Sequence, residues 1–340
     1  GNVMSEAFCQ ANGVPQGSVL SPTLFLLAIN DLLPQPPQGV KISFYADDVV
    51  IWISSRRFNH CIAQLQAALD MLTEWSDVWG LRFSPDKSKA MLFSRPGAAR
   101  SGRVQGRSRV LTLSGSVVNF VSHHRYLGLI FDSHMTWRPH VANLRSSMTS
   151  RINVLKAVSG RDWGADRASL LMLYKGMVRP KMEYASILYS CAATSTLRSL
   201  YSVQYQCLRI ATGALTGVRT DSLEVEADVP PLQYHFDFVC LRTAAAIIAL
   251  EGHPIAYIFQ QYDRFLNLCS PPFSTRAHSL SVVYNSPLFR VDAVPALRSD
   301  LWSAKSGCVR LNLHLHKSDC PVALLQEARL IVNSYPGSTP

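Results

Sequence analysis

Two adjacent carboxylates, Asp47 and Asp48, lie between two short apolar runs and constrain the chain more than any other feature of its sequence. The run before them, residues 40–44, has apolar side chains at alternate positions, which is the period of a half-buried strand. The run after them, residues 49–53, consists of β-branched and aromatic residues, as is typical of a second strand. The pattern therefore predicts a hairpin with both carboxylates at its turn.

Carboxylates held side by side repel each other unless a cation lies between or beside them. Oxygen ligands of this kind suit Mg²⁺, which is usually bound by one or two carboxylates together with substrate phosphates. Two such ions can activate an attacking oxygen and stabilise a leaving one, so the pair indicates metal-assisted phosphoryl transfer. The alternative is an ordinary acidic turn, because Asp side chains in turns often bond to nearby backbone amides.

A segment rich in turn residues precedes the hairpin. Residues 13–22 read GVPQGSVLSP, with two glycines and two prolines directly before an apolar stretch. Ser21 is placed as the N-cap of a helix and Pro22 as its first residue, which predicts a helix over about residues 23–33. Taken alone, the segment is explained equally by a turn into a core helix, but its position before the acidic hairpin favours a functional role.

The order and spacing of residues 13–18 (GVPQGS) and 45–48 (YADD) resemble the second and third palm motifs of reverse transcriptases, in the style of non-LTR (LINE-type) retrotransposons. Residues 79–89 (WGLRFSPDKSK) resemble the fourth motif of that family, and residues 126–131 (YLGLIF) resemble the strand of its primer grip. The resemblance covers about residues 13–131 and fades beyond them.

This resemblance implies an RNA-directed DNA polymerase that uses an RNA template, a DNA primer and dNTPs, with Mg²⁺ as cofactor and Mn²⁺ as a possible substitute. Asp47 would be the more direct metal ligand, and Lys87 would assist the departure of pyrophosphate, although an exposed lysine is as readily a solvated charge. The implied catalytic and metal-binding residues are Asp47, Asp48 and Lys87; the implied nucleotide- and template-binding residues are Pro15, Gln16, Gly17, Tyr45 and Ala46; and the implied primer grip is Tyr126, Leu127 and Gly128.

A polymerase palm needs a third carboxylate, which the family places in a Phe-x-Asp motif upstream of the segment that begins at Gly13. The acid that precedes Gly13 is Glu6, in an unsuitable context. We therefore expect either a fragment, lacking that motif and the fingers, or a degenerate copy. Two other functions stay open: a non-catalytic nucleic-acid-binding remnant, or another palm-type enzyme such as a nucleotide cyclase, which leaves residues 13–18 and 126–128 unexplained.

The expected fold class is α+β, with a polymerase palm, an antiparallel sheet with packed helices, followed by a helical thumb and a mixed C-terminal region. We place the palm with its primer-grip hairpin at residues 1–138, the thumb-like domain at 139–229 and a connecting region at 230–340. An ordinary helical domain would explain residues 139–229 equally well. The periodicity predicts a hairpin over 111–120 and helices over 58–79, 141–155, 170–177, 197–211, 234–250 and 322–332, with Gly80 and Gly213 as helix ends.

The net charge of +10 favours polyanionic partners, because each phosphate that a cation neutralises releases counterions. Between Ser94 and Val110 the chain carries five arginines and no acid, which indicates either a contact with nucleic-acid backbone or a solvated loop. No apolar run reaches the roughly 20 residues that span a bilayer. The sequence leaves the oligomeric state open.

The eight cysteines are scattered singly, which favours reduced core thiols in an intracellular protein, nuclear or cytoplasmic. One cluster near the C-terminus has potential zinc ligands, but its spacing fits no standard zinc pattern, and a strand with two histidines on one face explains it as well. That cluster consists of Cys308, His314, His316 and Cys320.

Overall fold

The computed structural model describes residues 13–94, 110–160, 163–250, 253, 255–259 and 272–284. The arginine-rich segment between Ser94 and Val110, the candidate zinc cluster and the helix expected near 322–332 therefore lie outside the described residues. The described chain forms two compact units. One contains the residues up to His124 and Asp132–His134, and the other contains Arg125–Phe131 and the residues from Met135 onward.

The first unit is mixed helix and strand. Its elements are α1 (Ser21–Ile29), β1 (Val40–Tyr45), β2 (Asp48–Ile53), α2 (Phe58–Trp79), β3 (Lys89–Ala90), β4 (Leu111–Leu113) and β5 (Ser116–Phe120). The strands β1 and β2 pair antiparallel, from Val40 opposite Ile53 to Tyr45 opposite Asp48. The strands β3, β5 and β4 form a second sheet in that order, in which β3 is parallel to β5. The predicted acidic hairpin and the predicted hairpin over 111–120 are both confirmed.

Helix α2 has the predicted bounds and organises the core of this unit. Its apolar residues recur every three or four positions, so they form one face that packs against both hairpins. Ala68 and Leu72 are buried there beside Val40. Gly80 ends the helix with φ of 66°, the left-handed conformation that glycine adopts without strain, as predicted.

Helix α1 departs from its prediction at both ends. Leu20 is the N-cap, whereas Ser21 is the first helical residue and its hydroxyl donates to the Pro15 carbonyl at 2.5 Å. The helix ends at Ile29, not near residue 33, and Leu33 is buried without being helical. Between residues 81 and 93, only Lys89–Ala90 pairs as a strand.

The second unit is helical after a two-stranded sheet that crosses the division, formed by β6 (His123–Tyr126) and β7 (Leu129–Asp132). Its helices are α3 (Arg138–Val158), α4 (Arg167–Leu173), α5 (Arg179–Glu183), α6 (Ser186–Tyr189), α7 (Thr194–Thr212), α8 (Thr220–Glu226), α9 (Leu232–Ala249) and α10 (Phe273–Val283). A π-helical turn over Tyr174–Val178 joins α4 to α5, so the single helix expected at 170–177 is interrupted. The other three helices expected between 141 and 250 are confirmed as α3, α7 and α9, whereas α8 and α10 were not predicted.

One large apolar cluster fills the second unit where α3 packs on α7. Gln204 is buried inside it and fully bonded: it accepts from the Tyr174 hydroxyl at 2.7 Å and donates to Glu224 at 3.0 Å and the Pro230 carbonyl at 3.2 Å. The thiols of Cys207 and Cys240 are free and buried, and burial raises the pKa of each to about 12. The expectation of reduced core thiols holds for these two residues.

Helix α10 is tied to α9 by a buried ion pair. Arg276 lies 2.6 Å from Asp237, which also accepts from the Gln233 amide at 3.1 Å. Because both partners are shielded from water, removal of either one would leave an uncompensated buried charge. Among the described helices, none is both long and apolar enough to cross a membrane.

Candidate functional site

The acidic hairpin presents its two carboxylates at the end of β1–β2. Tyr45 pairs with Asp48, so Ala46 and Asp47 form the turn. Ala46 has φ of 51°, a left-handed conformation that is uncommon for a residue with a side chain. Such outliers persist only where the surrounding structure determines them, and they cluster at functional sites.

Both carboxylates are exposed, and within the described ranges neither makes an ion pair or accepts a hydrogen bond. An ordinary acidic turn would have an Asp side chain bonded to a backbone amide, as Asp166 is to the Ser169 amide at 3.0 Å. The geometry at Asp47 and Asp48 therefore favours the interpretation as a cation site. Unpaired carboxylate oxygens are the donors that Mg²⁺ prefers, so these two residues fit that ion.

The loop at residues 13–20 is held together through the Pro15 carbonyl, which accepts from the Ser18 amide at 3.3 Å and from the Ser21 hydroxyl. Gln16 and Gly17 lie exposed at its turn. Gly17 has φ of 88°, and a Cβ built there meets nothing within 4 Å. The glycine is thus required by its backbone conformation, and the space beside it is open.

The predicted nucleotide-binding residues and the carboxylates belong to the same unit, but no hydrogen bond described by the structure links the loop to the hairpin. Lys87 lies in a turn in which the Ser88 amide and hydroxyl both donate to the Ser84 carbonyl, at 3.0 and 2.8 Å. Its ammonium is exposed. The roles of Pro15, Gln16, Gly17, Tyr45, Ala46 and Lys87 stay predictions.

Two residues of the predicted primer-grip strand form a turn. Tyr126 ends β6, but Leu127 and Gly128 have φ of 44° and 82° and connect β6 to β7. Positive φ at both central residues defines a type I′ turn, which matches the twist of a two-residue hairpin. The expectation of a strand through residues 126–128 is therefore wrong for Leu127 and Gly128.

A basic face on α3 was not singled out by the sequence reasoning. The helix contains no Asp or Glu, and Arg138, Arg145 and Lys156 are exposed on it. Spacings of 7 and 11 residues at about 100° per residue bring the three cations to within roughly 20° of one direction, along about 27 Å of helix. None of the three makes an ion pair with a described residue. We call these three residues the α3 stripe. The sequence could have predicted it from the spacing of the three cations and the lack of Asp and Glu in this helix.

The part of the chain that the structure describes contains no group of three His, Cys, Asp or Glu side chains arranged to hold a metal ion. To hold a metal ion, Asp47 and Asp48 would therefore need further donors from water, nucleotide phosphates or another carboxylate.

Comparison with known proteins matches residues 1–131 to the family described as reverse transcriptase (RNA-dependent DNA polymerase). These residues, which include the loop at 13–20, the acidic hairpin and α2, form a reverse transcriptase domain.

Similar proteins of known name indicate which class of reverse transcriptase the chain resembles. The chain is 26% identical over 287 residues to the RNA-directed DNA polymerase from mobile element jockey of Drosophila melanogaster, covering 83% of this chain and 28% of that protein. It is 30% identical over 234 residues to the jockey polymerase of Drosophila funebris, covering 67% of this chain and 25% of that protein. It is 25% identical over 252 residues to the Pol polyprotein from retrotransposable element R1 2 of Nasonia vitripennis, covering 71% and 58%.

The chain thus carries a reverse transcriptase domain of the non-LTR retrotransposon family. It spans about a quarter of the length of the two jockey polymerases. No solved structure matches the chain at a significant level.

Proposed function

We propose that this chain contributes the palm and thumb of a reverse transcriptase that extends a DNA primer along an RNA template. The primer 3′-hydroxyl attacks the α-phosphate of a dNTP, and pyrophosphate leaves. The first unit, with the acidic hairpin, corresponds to the palm, and the helical second unit corresponds to the thumb. A bound Mg²⁺ supplies charge neutralisation on the phosphates and lowers the pKa of the attacking hydroxyl.

The observation that carries this proposal is the state of Asp47 and Asp48. Two carboxylates lie exposed at one end of a hairpin, with no ion pair or hydrogen bond to a described residue, beside a left-handed Ala46. Their role is to hold the cation and to fix its position relative to the bound nucleotide. Most of the rate enhancement in phosphoryl transfer comes from such positioning and charge stabilisation.

The other motif residues act on the nucleotide. Gln16 and Gly17 approach the incoming dNTP, because the loop is exposed there and Gly17 leaves its backbone uncovered. Tyr45 and Ala46 border the same carboxylates on β1 and the turn. Lys87 offers an exposed positive charge to the departing pyrophosphate.

The α3 stripe holds the backbone of the template–primer duplex. Three exposed cations that make no ion pair with a described residue are available to phosphates, and each phosphate neutralised adds about 0.9 to the magnitude of the slope of log affinity against log salt concentration. The stripe lies in the second unit and does not depend on the carboxylates. It is therefore also the feature that supports the alternative function, nucleic-acid binding without catalysis.

Primer extension separates these functions. In a polymerase that joins this chain to the upstream Phe-x-Asp motif, tested with an RNA template, a DNA primer, dNTPs and Mg²⁺ or Mn²⁺, Asp47→Asn is expected to lower the single-turnover rate on the order of 10²–10³-fold, because a preorganised charge stabiliser is lost. Duplex affinity should be unchanged. Asp77→Asn is the matched control, since Asp77 is an exposed carboxylate on α2 away from the hairpin.

Three other outcomes would contradict part of the proposal. Duplex binding without extension in either metal would leave the non-catalytic remnant as the function. Equal loss of rate and affinity in Asp47→Asn would mean that the hairpin is structural. Incorporation of ribonucleotides alone would favour a different palm-type enzyme.

The stripe has its own test. Replacing Arg138, Arg145 and Lys156 by glutamine should lower duplex affinity and reduce the salt slope by about 2–3. The extension rate at saturating duplex should change little. An unchanged slope would exclude the stripe from the duplex contact.

A further inference from the structure

The turn between β6 and β7 is strained by its sequence. Leu127 has φ of 44°, in the left-handed region that is disfavoured for a residue with a Cβ. Gly128, with φ of 82°, adopts its conformation freely. A turn with a leucine at its first central position needs support from elsewhere in the molecule.

That support comes from one side chain, Tyr184, which follows α5. Its hydroxyl donates a hydrogen bond of 2.8 Å to the Leu127 carbonyl. Its ring lies against the next residue, so that a Cβ built on Gly128 would be only 3.2 Å from Tyr184 Cε1. Both central residues of the turn are thus in contact with the same phenol.

The chain around Tyr184 is shaped to direct this side chain. Helix α5 ends at Glu183, and Tyr184 turns out of it with φ of −53° and ψ of 119° while its amide still donates to the Pro180 carbonyl at 3.1 Å. Ala185 follows in a left-handed conformation with φ of 53°. Tyr184 itself remains 56% exposed, so apolar burial does not account for its placement.

A second anchor holds the strand after the turn. The Ile130 amide donates to His140 Nδ1 at 3.3 Å, which requires that nitrogen to be unprotonated. His140 is itself fixed between the rings of Trp137 and Tyr189, at centroid distances of 6.3 and 5.0 Å. His140 thus fixes β7 at Ile130, and the hydrogen bond from Tyr184 then fixes the orientation of the Leu127–Gly128 turn.

We propose that Tyr184 is a positioning residue for DNA synthesis: it orients the Leu127–Gly128 turn, and the turn in turn places the 3′ end of the primer. This inference rests on the proposed function and on the resemblance of residues 126–131 to the family's primer grip, which implies that the β6–β7 hairpin contacts the primer. A hydrogen bond at an exposed site between neutral groups contributes little to stability, since water replaces it readily. Its consequence is therefore geometric.

The test uses the whole 340-residue chain and a template–primer duplex with 2-aminopurine at the primer 3′ terminus. Tyr184→Phe removes the hydroxyl and keeps the ring. We expect the fluorescence change of the terminal base on binding to be largely lost, while duplex affinity stays within about threefold and the midpoint of unfolding does not move. Tyr234→Phe is the control, because Tyr234 is 52% exposed on α9 and donates no hydrogen bond to a described residue.

A second variant approaches the same contact from the turn. Gly128→Ala forces a Cβ against the Tyr184 ring and strains the backbone, so it should lose the same fluorescence change. An unaltered signal in Tyr184→Phe would overturn the inference, as would equal losses in Tyr184→Phe and Tyr234→Phe. Failure of the proposed function would be distinct: the unmodified chain itself would bind the duplex with no change at the terminal base, or would not bind it.

Discussion

The two units differ in what they bury and what they leave exposed. In the first, the loop, the carboxylates and much of α1 are open to solvent, and Leu24, Leu26 and Leu27 are each about half exposed or more. In the second, Leu200 and Phe236 are completely buried, and the buried Gln204 side chain is fully hydrogen-bonded. Under the proposed function this difference is a division of roles: the residues proposed to meet a cation or nucleotide stay exposed, and the densely packed core stabilises the helical unit.

The largest expected effect is a loss of unfolding free energy when a buried leucine is replaced by alanine, and this substitution can be made in each unit. Leu200→Ala should lower the free energy of unfolding by about 4–5 kcal/mol, because its fully buried surroundings cannot collapse into the cavity. Leu72→Ala should cost only about 2–3 kcal/mol, since most of its neighbours are partly buried and can relax. Hydrogen exchange, which follows each unit separately, measures both.

Equal losses of unfolding free energy in Leu72→Ala and Leu200→Ala would contradict the difference proposed between the two units. They would show that the core beneath the acidic hairpin is as tightly packed as the helical one, and that the exposure of α1 is unrelated to packing.

A smaller effect on stability is expected when a glycine in each unit is replaced by alanine, and the two substitutions should act in opposite directions. Gly80→Ala should destabilise the first unit by about 1–2 kcal/mol, because alanine must adopt the left-handed φ of 66°. Gly176→Ala should stabilise the second unit by about 0.4–1 kcal/mol, because its φ is not positive and its Cβ would meet nothing within 4 Å. Denaturant midpoints compare the two; a loss at Gly176 would mean that the π-helical turn does not tolerate a side chain.

The smallest effect is a pH dependence confined to the second unit. Burial, followed by the charges of Lys181 and Arg125, lowers the pKa of His140. Below the ordinary histidine pKa of about 6.5, the unfolded chain therefore binds a proton that the folded one does not, and stability falls as the pH is lowered. Above that value His140 is neutral in both states and contributes no slope.

Unfolding measured between about pH 7 and pH 5.5 tests this; burial raises the pKa of Glu224 in the same unit, so the slope is assigned to His140 by comparison with a variant that leaves Glu224 in place. His140→Gln keeps an acceptor for the Ile130 amide and has no proton to gain, so it should flatten the profile. An unchanged profile in that variant would assign the slope to another group.

The elements predicted correctly from the sequence are those whose spacing of apolar residues and whose end signals both lie within the element itself. Helix α2 was placed at its observed bounds, because apolar residues at helical spacing run up to Gly80. The acidic hairpin was predicted equally well, because a strand with alternating apolar residues and a strand of β-branched residues flank the two carboxylates. Helix α1 was extended too far because Leu32 and Leu33 continue its apolar run, yet they are buried outside the helix.

Other features depend on contacts that no local pattern encodes. Leu127 and Gly128 read as a strand within an apolar segment, and their turn is supported by Tyr184, 57 residues away. The α3 stripe was visible in its spacing, but the exposure of its three cations depends on which face packs on α7.

The central claim, that the acidic hairpin holds the divalent cation, is tested most directly by mapping the ion on the protein. Fe²⁺ in place of Mg²⁺, with duplex, dNTP, hydrogen peroxide and ascorbate, reduces the peroxide to hydroxyl radicals that cleave the polypeptide next to the bound ion, and ascorbate returns the resulting Fe³⁺ to Fe²⁺. The account predicts cleavage at Ala46–Asp48 that Mg²⁺ suppresses, that Asp47→Asn abolishes and that Asp77→Asn leaves intact. Cleavage elsewhere, or cleavage at the hairpin that persists in Asp47→Asn, would contradict it.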